Sequence, residues 1–173
     1  MKKTATLSAA ILALLSPVLA SALPLGITHD EFKSVEKLQI GSQTMRILLV
    51  NPKEEYDGVK LMLGDKELAR TDGDRMKIEY QFDLPNSKVV LVSEYSGGNA
   101  CPANYRLVQL NKSGSVTTTK VFGNCSDIPK INVNGERIAV TLPAEDGKRI
   151  VEETWTFEKG VLTEPRKRGD RSK

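Results

Sequence analysis

The chain has 173 residues, 39% of them apolar, with 25 lysines and arginines against 22 aspartates and glutamates and a formal net charge of +3. That length suits one ordinary domain, which buries roughly 70% of its unfolded surface and needs no metal or dense disulfide set to fold. The charge argues against nucleic-acid binding: the excess of positive residues lies at the two ends, in Lys2 and Lys3 and in the stretch from Arg166 to Lys173, leaving a mildly acidic body.

The opening follows the order of a secretory signal peptide. Met1-Lys2-Lys3 is positive, Leu7 to Leu19 is apolar, and Ala20-Ser21-Ala22 offers small side chains at a cleavage point. The apolar part is too short for a membrane anchor, and no later run reaches the length of a spanning helix. Cleavage near Ala22 is expected, with the mature protein periplasmic or secreted. The organisation read from the sequence is a signal peptide at 1–22, a β-rich globular domain at 23–164 and a basic, disordered tail at 165–173. The tail offers at most a weak, salt-sensitive contact with an anionic surface.

Thr28-His29-Asp30-Glu31 has the spacing of a capping box, and Phe32, Val35 and Leu38 follow at helical spacing. The pattern predicts one short helix of about ten residues, ended by Gly41. The period then changes to two. Met45 to Val50 is a solid apolar run that reads as a central strand. Val59–Leu63 and Lys66–Arg70 flank Gly64-Asp65, a hairpin signal. Met76 to Leu84 alternates over nine residues, which predicts a strand with one face buried and one wet. Lys88–Tyr95, Tyr105–Leu110, Val116–Phe122, Ile131–Val133, Arg137–Leu142, Arg149–Phe157 and Val161–Thr163 complete the series. Asn134-Gly135 predicts a type I′ turn. With no crossover helix between strands, the fold class is mainly β: a single antiparallel meander, closed as a barrel or packed as a sandwich, behind one N-terminal helix.

Cys101 and Cys125 are the only cysteines, so an oxidising compartment predicts a disulfide between them. The bridge would pin two polar loops, Ser96–Asn104 and Gly123–Asp127. Fixed loops lower the ordering cost of recognition, so this is the candidate binding surface: Tyr95, Asn99, Asn104, Tyr105, Asn124 and Asp127, with Tyr95 and Tyr105 as amphipathic anchors.

Catalytic chemistry is thinly supplied. The single histidine, His29, sits beside Asp30 and Glu31 at the expected helix start, and no nucleophile–base set is evident. No cofactor and no metal site are expected, since no cluster of His or free Cys exists. Glu153 stands in phase with Val151, Trp155 and Phe157, a face expected to be buried. The leading expectation is a non-enzymatic binding protein of the cell envelope, acting on another protein as an inhibitor or immunity-type protein does. The alternatives are a small carboxylate-dependent glycan hydrolase using Glu153 and an assembly subunit of a surface organelle.

Overall fold

A computed structural model describes residues 23–24, 36–53, 57–73, 75–95 and 100–166. The expected signal peptide, most of the expected helix, His29, Asn99 and residues 167–173 lie outside the described residues.

Within them the chain forms thirteen strands and no helix. Glu36–Ile40, whose Leu38 was assigned to the helix, is instead a strand (β2) that pairs antiparallel with Gln43–Leu49 (β3). The helical spacing of Leu38 loses to the ladder because β3 supplies a partner for five consecutive residues. Val59–Leu63 (β4) and Lys66–Thr71 (β5) extend this into a four-stranded sheet in sequence order. The central sheet holds Arg75–Asp83 (β6), Ser87–Tyr95 (β7), Asn104–Asn111 (β8) and Val116–Thr118 (β9), with Leu23–Pro24 (β1) on the outer edge of β6. The last sheet comprises Lys130–Asn134 (β10), Arg137–Asp146 (β11), Arg149–Glu158 (β12) and Val161–Thr163 (β13), again in order. Three antiparallel meanders therefore replace the expected single one.

The central sheet is buried on both faces. Val89 and Leu91 of β7 and Tyr105 and Leu107 of β8 pack with Ile138, Val140, Leu142, Trp155 and Phe157 of the last sheet. Val90, Val92 and Val108 pack with Ile40, Met45, Ile47, Val59, Leu61 and Leu63 of the first. Alternate residues of one strand thus enter two different cores, which is why β7 reads as an unbroken apolar run.

Strand β6 corrects a second expectation. Its alternation does not separate a buried face from a wet one. A β-bulge falls between Ile78 and Tyr80, where Ile78 opposes Val92 and Tyr80 opposes the very next residue, Leu91. Glu79 is the extra residue, and the phase flips across it. Met76 and Ile78 enter the core shared with the first sheet, whereas Tyr80 and Phe82 enter the core shared with the last.

The turn at Asn134-Gly135 is displaced by one residue. Asn134 pairs with Arg137, so the loop is Gly135-Glu136, with φ +59° at Gly135. Positive φ at the first loop residue alone is the type II′ pattern, which places glycine first. Glu136 ties this turn to the central sheet, accepting bonds from the Asn86 N–H (2.9 Å) and the Asn86 side-chain amide (3.0 Å).

Deleting Glu79 removes the bulge and leaves Tyr80 opposite Leu91, so Tyr80 and Phe82 should keep their core face and cooperative thermal unfolding followed by circular dichroism should persist. Deleting Gln81, outside the bulge, should turn Phe82 onto the wrong face and abolish that cooperativity; equal outcomes from the two deletions would refute the role of the bulge.

Candidate functional site

The disulfide end of the central sheet gathers most of the residues expected at a binding surface. Cys101 and Cys125 are bonded, with Cα atoms 4.5 Å apart, and join the chain before β8 to the segment after Phe122. The Asn104 side-chain amide donates to Cys101 Sγ at 3.3 Å. Gly123 has φ +130°, a conformation that favours glycine, and a Cβ there would lie 3.1 Å from Asn104 Oδ1, a tight contact with β8 that the asparagine side chain would have to ease. Cys125 itself has φ +68°, a left-handed conformation that costs an L-residue about 1–2 kcal/mol and that the surrounding bonds must hold.

Those bonds are specific. Asn124 Nδ2 donates to the carbonyl of Pro143 and to Glu153 Oε2, both at 3.0 Å. Asn124 Oδ1 accepts from the Ser126 N–H at 3.3 Å, and Ser126 Oγ accepts from the Ile128 N–H at 3.3 Å. The Tyr105 hydroxyl donates to the Ser126 carbonyl at 3.0 Å. Residues 123–128 are therefore fixed to β8 by the bridge and Tyr105, and to β11 and β12 by Asn124.

Tyr105 is the correction here. It was expected as an exposed anchor, but it is 1% exposed. Its backbone pairs with Phe122, and its ring lies 6.1 Å from the Phe122 ring, which in turn lies 5.9 Å from Trp155. The tyrosine points inward because Leu107, two residues on, occupies the same core face. Burial, and then the charges of Glu79 and Asp127, push its phenol above the ordinary range. Tyr95 is half-buried beneath the Arg75 guanidinium, whose carbon is 5.7 Å from the ring centroid. Asn104 and Asn124 are half-buried and committed to the bonds above, whereas Asp127 is exposed. Beside it stands Ile128, 66% exposed, which the sequence reading missed. Its only signal was an apolar residue before Pro129, outside any alternation.

The opposite face of β7 and β8 carries a buried ion pair. Arg106 Nε donates to Glu94 Oε1 at 2.6 Å, and Arg106 Nη1 donates to the Thr119 carbonyl at 2.8 Å. The two side chains are 14% and 8% exposed. Around the bulge, Glu79 accepts from Lys77 Nζ (2.9 Å) and from Ser93 Oγ (2.7 Å).

Beyond Phe122 the surface opens into a cleft of about 880 Å³. It is lined by Val121, Phe122 and Trp155, by β12 from Ile150 to Glu153, by Glu145 and Asp146 at the hairpin tip, and by Glu164–Arg166. Glu153, singled out from the sequence, is half-buried on its wall and held by Asn124. Glu152 points to the other face and pairs with Lys130 at 2.6 Å. Such a cleft offers carboxylates and apolar surface to a ligand, arranged along a strand and not around one reacting atom.

The chain belongs to the Y4bG N-terminal domain family, which matches it over residues 48–167. Neither a curated protein nor a solved structure matches the chain. The matched part of this Y4bG N-terminal domain takes in strands β4 to β13, the disulfide and every residue that lines the cleft. It leaves out β1, β2 and most of β3.

Two stability outcomes follow from this geometry. Glu94→Ala should cost about 3–5 kcal/mol in urea denaturation by stranding Arg106, and adding Arg106→Met should restore most of that loss. Tyr105 has a raised phenol pKa in the fold and ionises near 10 when unfolded, so its contribution is complete below pH 10 and declines above it. Tyr105→Phe should cost about 1 kcal/mol at pH 7 and flatten the alkaline part of the stability profile; an unchanged alkaline slope would contradict this.

Proposed function

We propose that this protein is an exported, non-enzymatic module that binds another protein of the cell envelope, in the manner of an inhibitor or immunity protein. The observation that carries the reading is the clamped loop 123–128. It is tied by a disulfide, a buried tyrosine and a two-bond asparagine, and it presents Asp127 and Ile128 to solvent. A loop already fixed loses little entropy on binding, and an exposed isoleucine beside a carboxylate supplies an apolar contact with a charged rim. Tyr95 extends the surface at the end of β7. Export is supported by the leader-like opening and by the bridge, which suits an oxidising space such as the periplasm.

The glycan-hydrolase reading has one observation behind it, the acidic cleft. It is the weaker of the two, because Glu153 is engaged by Asn124 and Glu152 by Lys130, and neighbouring strand carboxylates face apart. It predicts turnover of peptidoglycan that Glu153→Gln removes.

Purified protein should capture one stoichiometric partner from envelope extract. An Asp127→Arg, Ile128→Arg variant should lose that partner with an unchanged melting temperature, since Asp127 and Ile128 are exposed. A variant that folds and keeps the partner would place the interface elsewhere. The native protein should begin near Leu23 and carry no alkylatable thiol by intact mass.

A further inference from the structure

The hairpin of β11 and β12 outruns its neighbours on both sides. Strand β10 covers β11 only from Arg137 to Thr141, and β13 covers β12 only from Thr156 to Glu158. The two exposed edges are not alike. Residues that flank a two-residue loop exchange both backbone bonds, so the outward groups of each strand follow by alternation. Arg137 opposes Asn134 across such a loop, and Pro143, in phase with it, therefore points away from β12. Proline has no N–H to offer, and its carbonyl already accepts from Asn124. That edge is closed.

The β12 edge is open. Glu158 opposes Val161 across the Lys159-Gly160 loop, so the N–H and C=O of Thr156, Thr154, Glu152 and Ile150 point away from β11. Only Thr156 meets β13. Among the described residues, none pairs through its backbone with Ile150, Glu152 or Thr154. The reason lies in the sequence. With Thr163 opposite Thr156, the next donor to β12 would be residue 165, which is a proline. Pro165 ends β13 and leaves a lane beside Arg149–Trp155 roughly 20 Å long. The cleft opens onto that lane along Ile150–Glu153 and Trp155. Its walls are apolar at Val121, Phe122, Val151 and Trp155 and carry five carboxylates against Arg166, two of which, Glu152 and Glu164, form exposed ion pairs with Lys130 and Lys120.

We infer that the cleft takes an extended segment of a partner protein as an added strand, antiparallel to β12, with apolar and basic residues in alternation. The backbone of the segment bonds Ile150, Glu152 and Thr154. Its apolar side chains lie on the Val151 and Trp155 face, and its lysines or arginines lie on the Glu152 face. A second copy pairing through the same edge in the register that engages all three residues would set Glu152 against Glu152, a like-charge pair that disfavours it. The inference rests on the protein-binding reading, yet it is tested separately: the titration below can fail while capture through Asp127 and Ile128 succeeds.

The probe is fluorescein-labelled Lys-Val-Lys-Val-Lys-Val amide, followed by anisotropy at about 0.15 M salt so that diffuse attraction is screened. It should bind saturably, and the Glu-Val counterpart should not. N-methylation of the lysine amides should weaken binding about tenfold or more, whereas N-methylation of the valine amides should leave it within about threefold. Amide exchange at Ile150, Glu152 and Thr154 should be fast in the free protein and slow in the complex. Equal binding of the two methylated peptides, equal binding of the acidic peptide, or no saturation would overturn the inference. So would protection of those three amides on concentrating the protein alone, which would name a second copy as the occupant.

Discussion

Burial of the central sheet on both faces is the constraint from which the remaining architecture follows. Strand β7 gives Val89 and Leu91 to one core and Val90 and Val92 to the other. Each such side chain, fully buried, contributes about 1.5–3 kcal/mol, and none has a solvent-facing alternative. A two-sided strand needs two covering layers. The first and last sheets are those layers, and each is a meander built from short local hairpins. The bulge at Glu79 then solves a local problem, since β6, between β1 and β7 in the central ladder, must serve both cores in turn. One inserted residue changes which face is inward without breaking the strand.

The same arrangement positions the proposed binding surface. Strand β8 leaves its apolar middle and ends at the disulfide, where Tyr105 turns its hydroxyl to Ser126 and its ring to Phe122. The aromatic row Tyr105, Phe122 and Trp155 runs from beneath the clamped loop to the cleft. Asn124 stands at the junction. It holds the loop on one side and closes the β11 edge on the other, so the rigid loop and the protected edge depend on one side chain. The proposed binding surface and the open β12 edge are neighbours for this reason.

Prolines set the boundaries of that edge. Pro143 sits where its missing N–H costs no ladder bond, because the position faces outward and its carbonyl is satisfied. Pro165 sits where the ladder needs a donor, and the strand stops. Two residues of the same type therefore give opposite results on two sides of one hairpin, according to the partner each would have had.

Strand positions, most turns and the disulfide were legible in the amino-acid order, because period-two alternation, Gly-containing turns and a lone cysteine pair are local signals. The polar loops at the bridge were legible as well, through Asn104, Asn124 and Asp127. The burial of Tyr105, the exposure of Ile128 and the acidic cleft were not. Whether an aromatic at the end of a strand faces a core or solvent depends on which sheet lies opposite, and that is a non-local fact. The flawless alternation of Met76 to Leu84 concealed the bulge for the same reason: apolar residues at even spacing look alike whether they enter one core or two. Composition and pattern by themselves settled a β protein held by one disulfide. Only the stacking of three sheets decided which faces are inner, since a side chain's surroundings are set by layers distant in the chain.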